Sequence, residues 1–118
     1  MTEPVPLVTR LEVDAEGQAL VYVEGDIDLA TSNTLREALA EALEKSATVV
    51  VDLGAVGFID SSGLKELVFG NREAERAGGS LRLRRPSRML LRLLEITALD
   101  SVLLIDNEAP PPTAAETL

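Results

Sequence analysis

The 118-residue chain contains no cysteine, no histidine and no tryptophan, and these absences remove much of the chemistry by which small domains act. Without cysteine there is no disulfide, no thiolate nucleophile and no thiolate metal ligand. Without histidine the commonest general base and the commonest zinc ligand are gone as well. Aromatic residues make up 3% of the chain, one Tyr and two Phe, too few to stack on successive bases or sugars. Basic residues are also scarce, 11 Lys and Arg against 20 Asp and Glu, for a formal net charge of -9. Such a balance lacks the basic footprint that a nucleic-acid backbone or an anionic membrane requires, and it favours a protein partner with a basic patch. No apolar run approaches the roughly 20 residues of a membrane span. Neither nucleic-acid binding nor membrane insertion is therefore expected. The lack of cysteine suits a reducing compartment, and the polar opening Met1-Thr2-Glu3-Pro4 has no basic stretch leading into an apolar signal core. The chain reads as cytoplasmic.

What the chain does have is aliphatic: 46% of its residues are hydrophobic. At this length one domain is expected, burying roughly two-thirds of the surface its unfolded chain exposes. Leu7, Thr9, Leu11 and Val13 alternate with their neighbours, as do Ala19, Val21 and Val23 beyond Ala15-Glu16-Gly17, which predicts a hairpin ending at Gly25. Leu35, Ala38, Leu39, Ala42 and Leu43 recur at helical spacing within residues 31–46, and Asp28, Thr31 or Ser32 could each cap that helix. Residues 48–53, with Val49, Val50 and Val51 in succession, read as a central strand covered on both faces. A loop over residues 54–59 follows, then a helix that begins around Leu64 and stops at Gly78-Gly79. Residues 80–84 alternate as a strand, Pro86-Ser87 opens a third helix, and residues 102–105 form a last short strand.

The resulting order, ββαβαβαβ, predicts an α/β domain with a mixed sheet: an antiparallel N-terminal hairpin, a parallel βαβ part with right-handed crossovers, and amphipathic helices packed on it. The domain is expected over residues 7–106, after a flexible start at 1–6 and before a disordered, proline-rich tail at 107–118.

The segment with most chemical content is Asp60-Ser61-Ser62-Gly63. It lies between the most buried-looking strand and an amphipathic helix, where open sheets usually place ligands. Its plainest role is a helix N-cap with a turn residue. The same position offers free N–H groups at the positive end of a helix dipole, where a phosphate is accepted.

The stretch DLGAVGFIDSSGLKELV resembles the signature of the STAS domain family, specifically the bacterial anti-sigma factor antagonists. Val23-Glu24-Gly25-Asp26-Ile27-Asp28 is similar to the family's second segment, and the helix from Leu90 to Leu99 with Asp100 to its third helix. The resemblance implies that the serine after the aspartate, Ser61, is phosphorylated, with Ser62 as a secondary acceptor or structural cap. It also implies a partner switch: the unphosphorylated protein binds an anti-sigma factor that is also a serine kinase, freeing a sigma factor, until phosphorylation releases it and a serine phosphatase resets it. In this scheme Asp28, Asp60 and Gly63 support the phosphosite, while Asp26, Ser62, Leu64 and Lys65 lie on the partner surface. No catalytic residue, metal or cofactor is implied.

Two other readings stand beside it. The chain could be a STAS scaffold subunit of a larger stress-signalling or lipid-transport complex. It could be an enzyme with Ser61 as nucleophile, although Lys65 would then have to replace the missing histidine as base. Arg82, Arg84, Arg85, Arg88 and Arg92 form the one basic concentration, and Arg84-Arg85-Pro86-Ser87 resembles a basophilic kinase site. The alternation of Arg82 and Arg84 with Leu81 and Leu83 suggests instead the charged solvent edge of a strand.

Overall fold

A computed structural model describes residues 6–106. The expectations of a flexible start and a disordered tail fall on residues outside that range, Pro6 apart. The chain forms β1 (Val8–Val13), β2 (Ala19–Ile27), α1 (Ser32–Lys45), β3 (Thr48–Ile59), α2 (Ser61–Arg76), β4 (Ser80–Arg84), α3 (Arg88–Ile96), a short 3-10 turn (Leu99–Ser101) and β5 (Leu104–Ile105). The five strands make one sheet in the order β1-β2-β3-β4-β5. β1 and β2 are antiparallel and every other pair is parallel, so the mixed sheet and the order of elements match the pattern.

Local chemistry sets the element ends. The hairpin closes through Asp14 N–H to the Gln18 carbonyl (2.9 Å) and Gly17 N–H to the Asp14 carbonyl (3.0 Å), with Gly17 at φ +85°, a three-residue loop ending in a glycine bulge. α2 stops in a Schellman motif: Gly78 sits at φ +87°, its N–H donates to the Glu75 carbonyl, and Gly79 N–H donates to the Ala74 carbonyl. The side chain of Ser87 caps α3 by accepting from Leu90 N–H (3.1 Å).

One cluster forms the core. Alternate sheet residues (Ala19, Val21 and Val23; Val49, Val51 and Leu53; Leu81 and Leu83) meet Leu35 and Leu39 of α1, Leu64 and Leu67 of α2, and Leu90 and Leu94 of α3. Val50 lies outside this cluster although it is buried, so β3 is central without having helices on both faces. The opposite sheet face carries Arg10, Tyr22, Asp52, Arg82 and Arg84 instead. Asn71 ties α2 down with two bonds: its amide donates to the Val102 carbonyl and its oxygen accepts from Leu81 N–H, both at 3.2 Å. Among the described residues no helix is long and apolar enough to cross a membrane.

Besides the expected cover on both faces of β3, three expectations need correction. β2 runs through Gly25 to Ile27, because Gly25 at φ +118° bends the strand without ending it. Residues 54–59 are not a loop: β3 continues to Ile59, paired with β2 through two register shifts that leave extra residues on β3. Gly54 and Gly57 fall at these irregularities, where a glycine in a strand often marks a bulge rather than a loop. Finally, β4 is not at the solvent edge, since β5 pairs alongside it. Arg82 is exposed, but the next two arginines have structural partners: Arg84 bonds Asp106 (3.1 Å), and Arg85, just past the strand, holds Asp52 through Nε and Nη2 (2.8 Å at the shortest). The apparent kinase motif is thus occupied by two ion pairs and a helix cap.

Candidate functional site

The parallel strands β2, β3 and β4 all deliver their C-terminal ends to the same edge of the sheet, and the helices start there. Ile27 pairs with Ile59, and Asp60 N–H donates to the Ile27 carbonyl at 3.1 Å, so the segments beginning at Asp28 and Asp60 leave the sheet side by side. This register brings two motifs 32 residues apart in sequence to one edge.

At the start of α2 the labour is divided among neighbours. Asp60, in extended conformation, is the N-cap: its Oδ1 accepts from Ser62 N–H at 2.8 Å and from Gly63 N–H at 3.4 Å, and its carbonyl accepts from Leu64 N–H. The Leu64 bond is the first regular bond of the helix; of the four N–H groups that the helix start leaves unpaired, that of Asp60 is met by the Ile27 carbonyl and those of Ser62 and Gly63 by the Asp60 side chain, leaving that of Ser61. Ser61 is the first helical residue and is exposed. Its hydroxyl makes no hydrogen bond to the described residues, so it carries no structural duty. Ser62 is half-buried and contributes its backbone N–H to the cap; its hydroxyl does not serve as a cap.

Gly63 is buried, for a reason of packing. A Cβ there would lie 2.5 Å from Ile27 Cγ2 and 2.7 Å from Ile59 Cγ1, so the glycine lets the first turn of α2 seat on the two strand ends. Leu64, expected on the partner surface, is only 4% exposed and belongs to the core. Helical periodicity turns it inward while its neighbour Lys65 faces out.

Asp28 organises the preceding turn. Its carboxylate accepts from Thr31 N–H at 3.1 Å, while Thr31 Oγ1 accepts from Asp28 N–H at 2.9 Å and donates to the Asp26 carbonyl at 2.8 Å. Thr31 is the N-cap position of α1 but caps nothing with its side chain. Asp26 is exposed one step earlier, opposite Phe58. The register therefore brings together Asp26, Asp28, Asp60, Ser61, Ser62 and Lys65, and removes Leu64.

Residues that the sequence pattern does not mark complete this edge. Phe58 is 45% exposed, Met89 66% and Leu29 80%. Phe58 and Met89 flank a shallow cleft floored by Leu53, Ile59 and Leu90, between the end of β3 and the start of α3. Exposure of large apolar groups beside a hydroxyl and three carboxylates is the composition of a protein-docking surface rather than of a substrate pocket. A larger hollow, about 250 Å³, lies on the opposite sheet face around Arg10, Tyr22, Asp52 and Arg85. There the Arg85 guanidinium is held further above its usual value, first by its hydrogen bonds to Asp52 and then by charge attraction. Among the described residues no group of acidic, His or Cys side chains could hold a metal ion.

The family model described as Mlab, STAS domain matches residues 11–106. The chain is 34% identical over 94 residues to the anti-sigma-B factor antagonist of Bacillus subtilis (strain 168), covering 80% of this chain and 86% of that one. The crystal structure of an anti-sigma factor antagonist from Mycobacterium paratuberculosis aligns with a TM-score of 0.77 and 28% identity over 92% of both chains. The Bacillus cell fate determinant SpoIIAA in its phosphorylated form aligns with a TM-score of 0.66, covering 86% of this chain and 93% of that one; at 20% identity this likeness concerns the fold.

Proposed function

The chain belongs to the STAS domain family, and on that premise we propose that it is a cytoplasmic anti-sigma factor antagonist switched by phosphorylation of Ser61. As a family member it acts by binding, not by catalysis. Unphosphorylated, it docks an anti-sigma factor with serine kinase activity and so frees a sigma factor; that kinase phosphorylates Ser61 and a serine phosphatase resets it.

The observation that carries this reading is the exposed, unengaged Ser61 hydroxyl beside a cap made by Asp60. The cap also explains the direction of the switch. A phosphate adds about 1.5 to 2 negative charges. Asp60 already takes the N–H groups of Ser62 and Gly63, which leaves the phosphate with the helix dipole and a single backbone donor. Its charge is therefore little absorbed by its own helix and stays on the surface that Asp26, Phe58 and Lys65 share. A docked partner would have to desolvate it next to Asp60, and losing a factor of 100 in affinity requires only about 2.7 kcal/mol.

Incubation with the cognate kinase and ATP, read by intact mass, should add one phosphate to the wild type and none to Ser61→Ala. A phosphate that persists at Ser62 in that variant would overturn the assignment. Membership of the family alone is also met by a second reading, a scaffold subunit of a larger assembly. A stable multi-subunit complex indifferent to Ser61→Asp would support it.

A further inference from the structure

The sheet has two unequal edges. β5 is a two-residue strand, whereas β1 is a six-residue edge whose outer side meets no strand among the described residues. Such an edge is usually blunted by a proline, a bulge or an inward-pointing charge. Val8–Val13 contains no proline and pairs with β2 without a register shift, and its two charged residues, Arg10 and Glu12, lie on the helix-free face, opposite Tyr22 and Leu20. Arg10 stacks over the Tyr22 ring at 4.2 Å and pairs with Glu12.

We propose that β1 is a homodimerisation strand, pairing antiparallel with β1 of a second copy about a two-fold axis at Leu11. Hydrogen-bond parity is the first support. Asp14 N–H bonds the Gln18 carbonyl in the same register that pairs all of β1 with β2, so the even-numbered residues bond inward. By the alternation of antiparallel ladders, the N–H and C=O groups of Thr9, Leu11 and Val13 point outward. With the axis at Leu11, Leu11 faces its own copy and Thr9 faces Val13 of the other chain, so each outward group meets an outward group.

Charge is the second support. The same register sets Arg10 of each copy opposite Glu12 of the other, on one face, in the closely spaced non-hydrogen-bonded pairs. With the existing Arg10–Glu12 pair in each chain, this closes a ring of four alternating charges. The two neighbouring registers that also satisfy parity would set Arg10 against Arg10 or Glu12 against Glu12, which is destabilising. The interface is isologous, as a two-fold dimer requires. It lies two strands away from β3, so both Ser61 edges stay open.

Sedimentation of the full chain over a range from low micromolar to submillimolar concentration tests the idea. Wild type should show a monomer–dimer equilibrium. Arg10→Glu should raise the dimer dissociation constant by about tenfold or more, since two attractive pairs become repulsive. The double reversal Arg10→Glu with Glu12→Arg should restore it, because the register then sets the introduced acid of each copy opposite the introduced base of the other. Circular dichroism confirms that each variant is folded. A wild type that stays monomeric throughout would overturn the proposal, as would a dimer indifferent to Arg10→Glu or not restored by the double reversal.

Discussion

At the residue scale the start of α2 separates three roles that a short motif could have merged. Asp60 caps, Ser61 is left free, and Gly63 fits between Ile27 and Ile59. Each role has its own expected cost. Asp60→Ala removes the cap and should lower stability by about 1 kcal/mol. Gly63→Ala forces a methyl group against two buried isoleucines and should cost about 1–3 kcal/mol despite the better helix propensity of alanine. Ser61→Ala should be nearly neutral, because its hydroxyl bonds nothing described. Urea denaturation of the three variants checks this ranking, and a large loss for Ser61→Ala would show that the hydroxyl is structural after all.

At the element scale the limits of sequence patterns are visible in β3. The hydrophobic run Val49 to Leu53 announces a buried strand, and helical spacing announces α1 and α2 with nearly correct ends. Residues 54–59 read as a loop because Gly54 and Gly57 break the apolar pattern, while the information that keeps them in the sheet lies in β2, far away in sequence. The arginines mislead for the same reason: their partners Asp52 and Asp106 are 33 and 22 residues distant. Within the site, local motif chemistry marks Asp60 as a cap and Asp28 as one of three candidate caps, the family resemblance and not that chemistry singles out Ser61, and Phe58 and Met89 come to line one cleft only through the tertiary packing of α3. The Asp52–Arg85 pair shows what such long-range contacts contribute. Asp52 is buried and also accepts from Gly54 N–H at 2.9 Å, and Gly54 leaves room for the guanidinium, which would lie 2.5 Å from a Cβ there. Arg85→Ala should strip that carboxylate of its cationic partner and cost about 1–3 kcal/mol, discounted from a fully buried pair because Arg85 is half exposed. Thermal unfolding checks it, with recovery expected when Asp52→Asn is added; no recovery would mean that the arginine acts through packing alone.

At the scale of the whole molecule, one sheet edge gathers the helix starts, the carboxylates, the exposed apolar side chains and Ser61, while the core lies behind it. A rigid scaffold can therefore hold a docking surface that changes by a single modification without refolding. The acidic balance, -9 before any phosphate is added, keeps that surface suited to a basic partner and makes further negative charge at the contact costly. The most direct test is the affinity of the chain for a serine-kinase anti-sigma factor of its own organism, measured by calorimetry with the unmodified protein and with the protein phosphorylated at Ser61. The switch predicts tight binding of the first and a loss of about 100-fold in the second, or about 2.7 kcal/mol. Equal affinity for the two forms would contradict it.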